Sequence, residues 1–172
     1  MKKTICLLLV VVMLTSICIP ASATTAPCVE ELIIVNENAR TVPYVPTSYY
    51  NLSANSYTGT FLDMQIGEVG YTQRYFSTGT GELNLRFTIR STGSTDSSTR
   101  YMKVALYKSS NGGSWTYQTT KPIRSLSTAE ISTTVSFTNL ELDAFYYIKV
   151  SNSTPGDQSL DYTITGVFVI TE

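Results

Sequence analysis

A chain of 172 residues with 12 Lys/Arg, 13 Asp/Glu and a formal net charge of −1 carries no surplus of either sign. Phosphate binding needs a clustered basic face, and the arginines are scattered from Arg40 to Arg124, so nucleic acid is not an expected partner. The absence of histidine removes the commonest general base and metal ligand and with it the usual catalytic triads.

Residues 1–23 have the layout of a cleaved signal peptide. Met1-Lys2-Lys3 is a basic start, Ile5 to Ile19 an apolar run, and Ala21-Ser22-Ala23 the small-x-small pattern that a signal peptidase cuts after. The run is short for a membrane span, which needs about 20 residues. Removing it takes Lys2 and Lys3 away, so the mature formal charge moves from −1 to −3. The expected location is outside the cell or loosely on its surface, in a bacterium of Gram-positive type, with no membrane span after cleavage. Cys6 and Cys18 leave with the leader, so Cys28 has no internal disulfide partner. Two readings of Cys28 stay open: an unpaired thiol in a loose tail, or intermolecular pairing.

Residues 24–58 form a distinct segment. Val29 to Val35 reads as one strand. Pro43 and Pro46 then interrupt, and Tyr44, Tyr49, Tyr50, Leu52 and Tyr57 sit irregularly among Ser, Asn and Thr. That pattern predicts a loop lying across the domain and pinned by its tyrosines, since flexible linkers are poor in aromatics.

Residues 59–172 show recurring period-2 alternation with turn residues between the runs. Leu83, Leu85, Phe87 and Ile89 oppose Asn84, Arg86, Thr88 and Arg90. Met102, Val104 and Leu106 are expected inside, with Lys103 and Tyr107 outside. Ile131, Val135 and Phe137 form the next inward set, then Tyr146, Ile148 and Val150, then Leu160, Tyr162, Ile164, Phe168 and Ile170. Gly, Ser, Asn, Asp and Pro cluster at 77–81, 91–98, 109–114 and 153–158. No stretch carries a 3.6-residue period over ten residues. The expectation is an all-β fold: a single antiparallel β-sandwich, jelly-roll-like, of about eight strands. Val167-Phe168-Val169-Ile170 is apolar on both faces. It reads as a central strand covered by loop residues around Tyr49 and Tyr50, or else as an exposed edge that mates with another chain.

Phe145-Tyr146-Tyr147-Ile148-Lys149-Val150 followed by Asp161-Tyr162-Thr163-Ile164-Thr165-Gly166-Val167 resembles the end of a pre-peptidase C-terminal (PPC-like) domain. Val104-Ala105-Leu106-Tyr107 and Gly70-Tyr71-Thr72-Gln73-Arg74-Tyr75-Phe76 fit the same layout, so the resemblance covers roughly residues 59–171. It implies a small β-sandwich module that assists or binds and does not catalyse. Ala144 stands near where that family has Gly. Tyr101 and Lys103 replace an Asp-x-Asp pair, so a calcium role tied to that pair does not transfer.

The candidate ligand site is aromatic. Trp115 follows Asn111-Gly112-Gly113-Ser114 at a hairpin tip, Tyr117 shares its face, and Tyr101 and Tyr107 point outward on the run before. Flat rings at a sheet edge stack on sugar rings, and Asn111, Gln118 and Lys108 can add hydrogen bonds. The competing reading has Trp115 folding back over its own hairpin. Asp157 and Asp161, near Glu141 and Asp143, are weak calcium candidates, because a hard cation wants six to eight oxygens. Asp63, Glu68 and Glu82 carry no glycosidase signature, and there is no Gly-x-Ser-x-Gly elbow. No cofactor and no catalytic residue is expected. The functional expectation is a secreted, non-catalytic binding or accessory module, with an extracellular polysaccharide, cell-wall material or another surface protein as partner. The alternatives are a structural surface component and, last, a secreted hydrolase.

Overall fold

The computed structural model describes residues 28–37, 44–53, 55–93, 96, 99–152 and 161–172. The proposed leader, Pro43, Asp157 with the turn at 153–158, and Leu160 lie outside the described residues. The rest is strand and connection, with no α-helix among the described residues. Twelve strands build two sheets: β1 (Cys28–Glu31), β2 (Ile33–Asn36), β3 (Ser48–Asn51), β4 (Tyr57–Met64), β5 (Glu68–Tyr71), β6 (Arg74–Ser77), β7 (Leu83–Gly93), β8 (Tyr101–Ser109), β9 (Thr116–Arg124), β10 (Ile131–Phe137), β11 (Phe145–Asn152) and β12 (Tyr162–Thr171). The five-stranded sheet has the order β1-β4-β12-β7-β10. The seven-stranded sheet spans five positions: β9, β8, β11, then β5 and β6 end to end, then β2 and β3 beside them.

Alternation explains the five-stranded sheet directly. In β7 the odd positions Leu83, Leu85, Phe87 and Ile89 are buried while Arg86 and Arg90 are exposed. In β12, Phe168 and Ile170 are fully buried and Val167 and Val169 face outward, as a period of two requires. Phe168 sits between Phe87 and Phe61, with ring centroids 5.1 and 6.5 Å away. Gly59 makes room for it: a Cβ there would come within 2.4 Å of the Phe168 ring. β12 is central, between β4 and β7.

Several expectations need correction. Among the described residues the strand count is twelve, not about eight. Fusing the end-to-end pair β5 and β6 and setting aside β1–β3 leaves eight segments from β4 onward, so the excess comes from the N-terminal strands and one break at Thr72-Gln73. The sandwich is not wholly antiparallel, since β1 runs parallel to β4 and β3 parallel to β6. The run 29–35 is not one strand in one sheet. It breaks at Leu32, where the chain leaves the five-stranded sheet as β1 and joins the seven-stranded sheet as β2. Leu32 is 3% exposed and lies against Gly70, where a Cβ would meet Leu32 Cδ1 at 2.8 Å. Tyr49 and Tyr50 are not loop residues: they belong to β3 in the other sheet, where Tyr50 packs against the core that holds Phe168 and Ile170 and Tyr49 lies on the far face. The Tyr44 part of the expected overlying loop does hold, because the Tyr44 ring rests on Tyr71 at 5.8 Å. Cys28 is not in a loose tail. It opens β1 and packs against the core.

Backbone hydrogen bonding closes the corners. Thr78 Oγ1 accepts from the amides of Thr80, Gly81 and Glu82 and donates to the Glu82 carbonyl, tying the turn before β7. At a bulge in β4, Thr165 Oγ1 accepts from the Asp63 amide and donates to Asp63 Oδ1, both at 2.9 Å. Asp63 has φ 46° there, a left-handed conformation that Asp tolerates better than most residues.

Candidate functional site

Alternation along β11 puts Tyr146, Ile148 and Val150 in the core and Phe145, Tyr147, Lys149 and Ser151 on the far face of the seven-stranded sheet. That face is not wet. Tyr147 is 1% exposed, and with Val69 and Tyr71 it nucleates a second apolar cluster joined by Val35, Tyr44, Tyr75, Tyr107 and Trp115.

The register explains why. Tyr117 opposes Tyr107, Tyr107 opposes Tyr147, and Tyr49 opposes Tyr75. Because Tyr146 opposes Phe76 in the antiparallel β11–β6 pair, Tyr147 is level with Tyr75. One row of tyrosines therefore crosses all five positions of the sheet: Tyr49, Tyr75, Tyr147, Tyr107, Tyr117. With strands about 4.8 Å apart, the row is about 19 Å long. Tyr107 stacks face to face on Tyr147, centroids 4.8 Å apart and planes at 3°. Tyr117 meets Tyr107 edge-on at 5.8 Å, and Tyr49 meets Tyr75 at 5.8 Å. Phe145 wedges against Tyr75 and Tyr49 at 5.2 and 5.9 Å. The ends of the row are open: Tyr117 is 57% and Tyr49 43% exposed.

Trp115 lies over the middle. Its ring meets Tyr147 edge-on at 4.9 Å and Tyr75 at 5.6 Å, and it is half-buried. Packing back over the sheet is thus what the indole does, so an open Trp115 platform is corrected to a half-covered one. Its Nε1 is buried without an acceptor. The loop that delivers it is locally fixed. Asn111 Oδ1 accepts from the amides of Gly113 and Ser114 and from Ser109 Oγ, while Ser109 Oγ accepts from the Asn111 and Gly112 amides. Gly112 takes φ 75°, which glycine permits without steric cost. The Asn111 carbonyl oxygen is thus spent on its own loop.

Tyr101 stands away from this group. It is 8% exposed and sits six residues from Tyr107, at the far end of β8. Its ring lies between Arg124 and Lys103, whose cationic groups are 5.8 and 5.7 Å from its centroid. Tyr107, Tyr117 and Trp115 come together around Tyr147; Tyr101 stands apart from them. Gln118 is the extra residue of a β9 bulge, and its amide donates to Thr116 and the Tyr117 carbonyl. Lys108 pairs with Glu141 at 2.6 Å, and the bond to Glu141 raises its pKa. Sequence reasoning missed Tyr49, Tyr75, Tyr147 and Phe145. Their aromatic spacing was visible, but their shared row depends on strand order.

Burial raises the pKa of Tyr147, helped by the neighbouring Tyr107 and Tyr71 hydroxyls. Burial likewise raises the Cys28 thiol, with the Glu30 carboxylate acting in the same direction, so the reactive thiolate is scarce near neutral pH. Glu30 also holds Arg74 at 2.6 Å. The carboxylates considered for catalysis hold local structure: Glu68 Oε2 accepts from the Gln65 amide, and Asp63 closes its bulge. Asp161 is exposed. No group of three His, Cys, Asp or Glu poised for a metal occurs among the described residues. Two shallow recesses of about 280 Å³ lie elsewhere, one at Thr88, Arg90, Glu130 and Thr165, the other at Leu106, Lys121, Phe137 and Leu140. Both are at the small end of ligand sites, which run from about 300 to 1,000 Å³. The aromatic row is the larger organised feature. No helix among the described residues is long and apolar enough to cross a membrane.

No family model matches this chain, and no curated protein matches it.

Proposed function

We propose that this chain is a secreted, non-catalytic β-sandwich module that binds extracellular polysaccharide across the aromatic row of its seven-stranded sheet. The observation that carries this reading is the in-register line Tyr49–Tyr75–Tyr147–Tyr107–Tyr117, open at both ends. Aromatic faces supply large apolar contact with little conformational entropy to lose, which suits a flat ring bearing hydroxyls. Trp115 Nε1 is buried with no acceptor among the described residues; an unmet buried donor costs about 1–3 kcal/mol, so a shift of the indole that brings Nε1 to a sugar hydroxyl is favoured. The finer architecture belongs to the same reading. Counting β5 and β6 as one segment, the first, eighth, third and sixth segments from β4 form one sheet, and the second, seventh, fourth and fifth the other. That is the double Greek-key order of a jelly roll, a plan shared by lectin domains. Export rests on the leader-like residues 1–23, and an accessory role on the PPC-like resemblance and the missing histidine.

Trp115 is the only tryptophan and touches the row, so its fluorescence reports occupancy. Titration with a panel of soluble polysaccharides should shift the emission, and Tyr117→Ala should weaken the response at least fivefold. An emission that no polysaccharide moves defeats the reading.

A structural or protein-contact role is the second reading. It is favoured by the outer face of the five-stranded sheet, where Val29 and Leu62 are 62% and 63% exposed beside the outward Val167 and Val169. Concentration-dependent light scattering tests it, and a strictly monomeric protein argues against it.

A further inference from the structure

The β8–β9 hairpin carries a charge pattern that the whole-chain balance conceals. From Ser97 to Ala129 there are five cations, Arg100, Lys103, Lys108, Lys121 and Arg124, and no Asp or Glu; all 13 acids lie outside this stretch. Three of the five are engaged. Arg100 is 4% exposed and donates to the Ser91 and Gly93 carbonyls and Ser91 Oγ. Lys108 is paired with Glu141. Lys121 donates to the Ser136 carbonyl and lies over the Phe137 ring. Lys103 and Arg124 have no acidic partner among the described residues. They flank the Tyr101 ring instead.

Register sets where these two charges stand. Arg124 opposes Tyr101, and Tyr117 opposes Tyr107. Tyr101, Lys103 and Tyr107 share a parity along β8. All five side chains therefore lie on the outer face, the face of the aromatic row. Six residues of strand separate Tyr107 from Tyr101, about 20 Å. The two outermost strands of the sheet thus present stacking surface at one end and, at the other, two cations with no acidic partner among the described residues. On this face Glu37 is already held by Lys149 at 2.5 Å.

We infer that the polysaccharide is acidic, a polymer bearing carboxylate or other anionic groups, lying along β8 and β9 with its rings on Tyr107 and Tyr117 and its anions on Lys103 and Arg124. This rests on the polysaccharide reading above and narrows it by charge complementarity. A neutral glycan finds no use for two cations on its path. A ligand recognised by charge alone finds none for the tyrosines.

Polygalacturonate and its fully methyl-esterified form test this, because they share the ring and differ in charge. The full chain should bind the polyacid about tenfold more tightly than the ester at low salt, with the preference shrinking as salt screens it. The double variant Lys103→Gln/Arg124→Gln should erase about five- to tenfold of polyacid binding, the range expected for two exposed ion pairs, and leave the ester unchanged. Tyr117→Ala should weaken both. Equal binding of the two polymers, or a polyacid affinity indifferent to the double variant, overturns the inference. If the ester still binds and still responds to Tyr117→Ala, the polysaccharide reading stands without it. Failure of both polymers and of the panel defeats both. Tighter binding of duplex DNA or anionic vesicles than of polygalacturonate assigns the cations to another class of partner and also overturns it.

Discussion

Tyr162 shows how one side chain joins two sheets. Its hydroxyl accepts from the Tyr101 amide at 3.2 Å and donates to the Tyr101 carbonyl at 3.0 Å, and its ring is buried. Tyr162 opens β12 in the five-stranded sheet and Tyr101 opens β8 in the other. The hydroxyl therefore bonds both backbone polar groups of Tyr101. Tyr162→Phe keeps the ring and removes both bonds, stranding a buried amide. It should cost about 1–3 kcal/mol, read as a lower urea midpoint at unchanged m-value. A variant as stable as the parent would show that water replaces the hydroxyl there. The period-2 pattern placed Tyr162 in the core correctly. Its hydrogen-bonding role was illegible, because its partner lies 61 residues away.

At the scale of elements, the N-terminal strand segment is a staple. β1 pairs with β4 in one sheet, and β2 pairs with β5 in the other. Leu32 crosses between them, its amide donating to the Thr60 carbonyl at 2.8 Å. Neither half is long, and only Leu32 of this run is fully buried. Leu32→Ala should therefore cost about 2–5 kcal/mol, as other buried leucines do, while the exposed Val29→Ala stays within about 0.5 kcal/mol. Thermal unfolding of the two variants separates them, and equal melting points would refute the staple. From the sequence, 29–35 reads as a single strand because every residue favours extension. Nothing local marks the change of sheet at Leu32. The edge strand β9 is guarded in a legible way: Pro122 lacks an amide and Lys121 is charged, two features that discourage pairing with another chain.

For the molecule as a whole, the core titrates. Burial raises the pKa of Tyr57, Tyr146, Tyr147 and Tyr162 above the ordinary value of 10.0. In the unfolded chain these phenols lose their protons near pH 10. In the folded protein they keep them. The stability they contribute is fully present below pH 10 and drains away as pH rises through 10 towards their folded values. Unfolding followed by circular dichroism should set in above pH 10 and coincide with a cooperative rise of tyrosinate absorbance. Ionisation of all twelve tyrosines at an ordinary pKa, with the fold intact, would contradict this. The same tyrosines divide what was legible. Tyr146 and Tyr162 belong to the inward set that alternation predicts, whereas Tyr147, of the opposite parity, is buried as well.

Alternation within each run determined the all-β character and the inner faces of β7, β10, β11 and β12, because side-chain direction in a strand follows from position alone. Strand order and register decided the rest. They placed Tyr49, Tyr75, Tyr147, Tyr107 and Tyr117 in one row, set Trp115 over its centre, moved Tyr101 away to lie between Lys103 and Arg124, and split 28–36 between two sheets. Local pattern carries no information on which strand lies beside which. That choice is made by the packing of two sheets over a common interior, and the face that results is assembled from residues spread over most of the described chain.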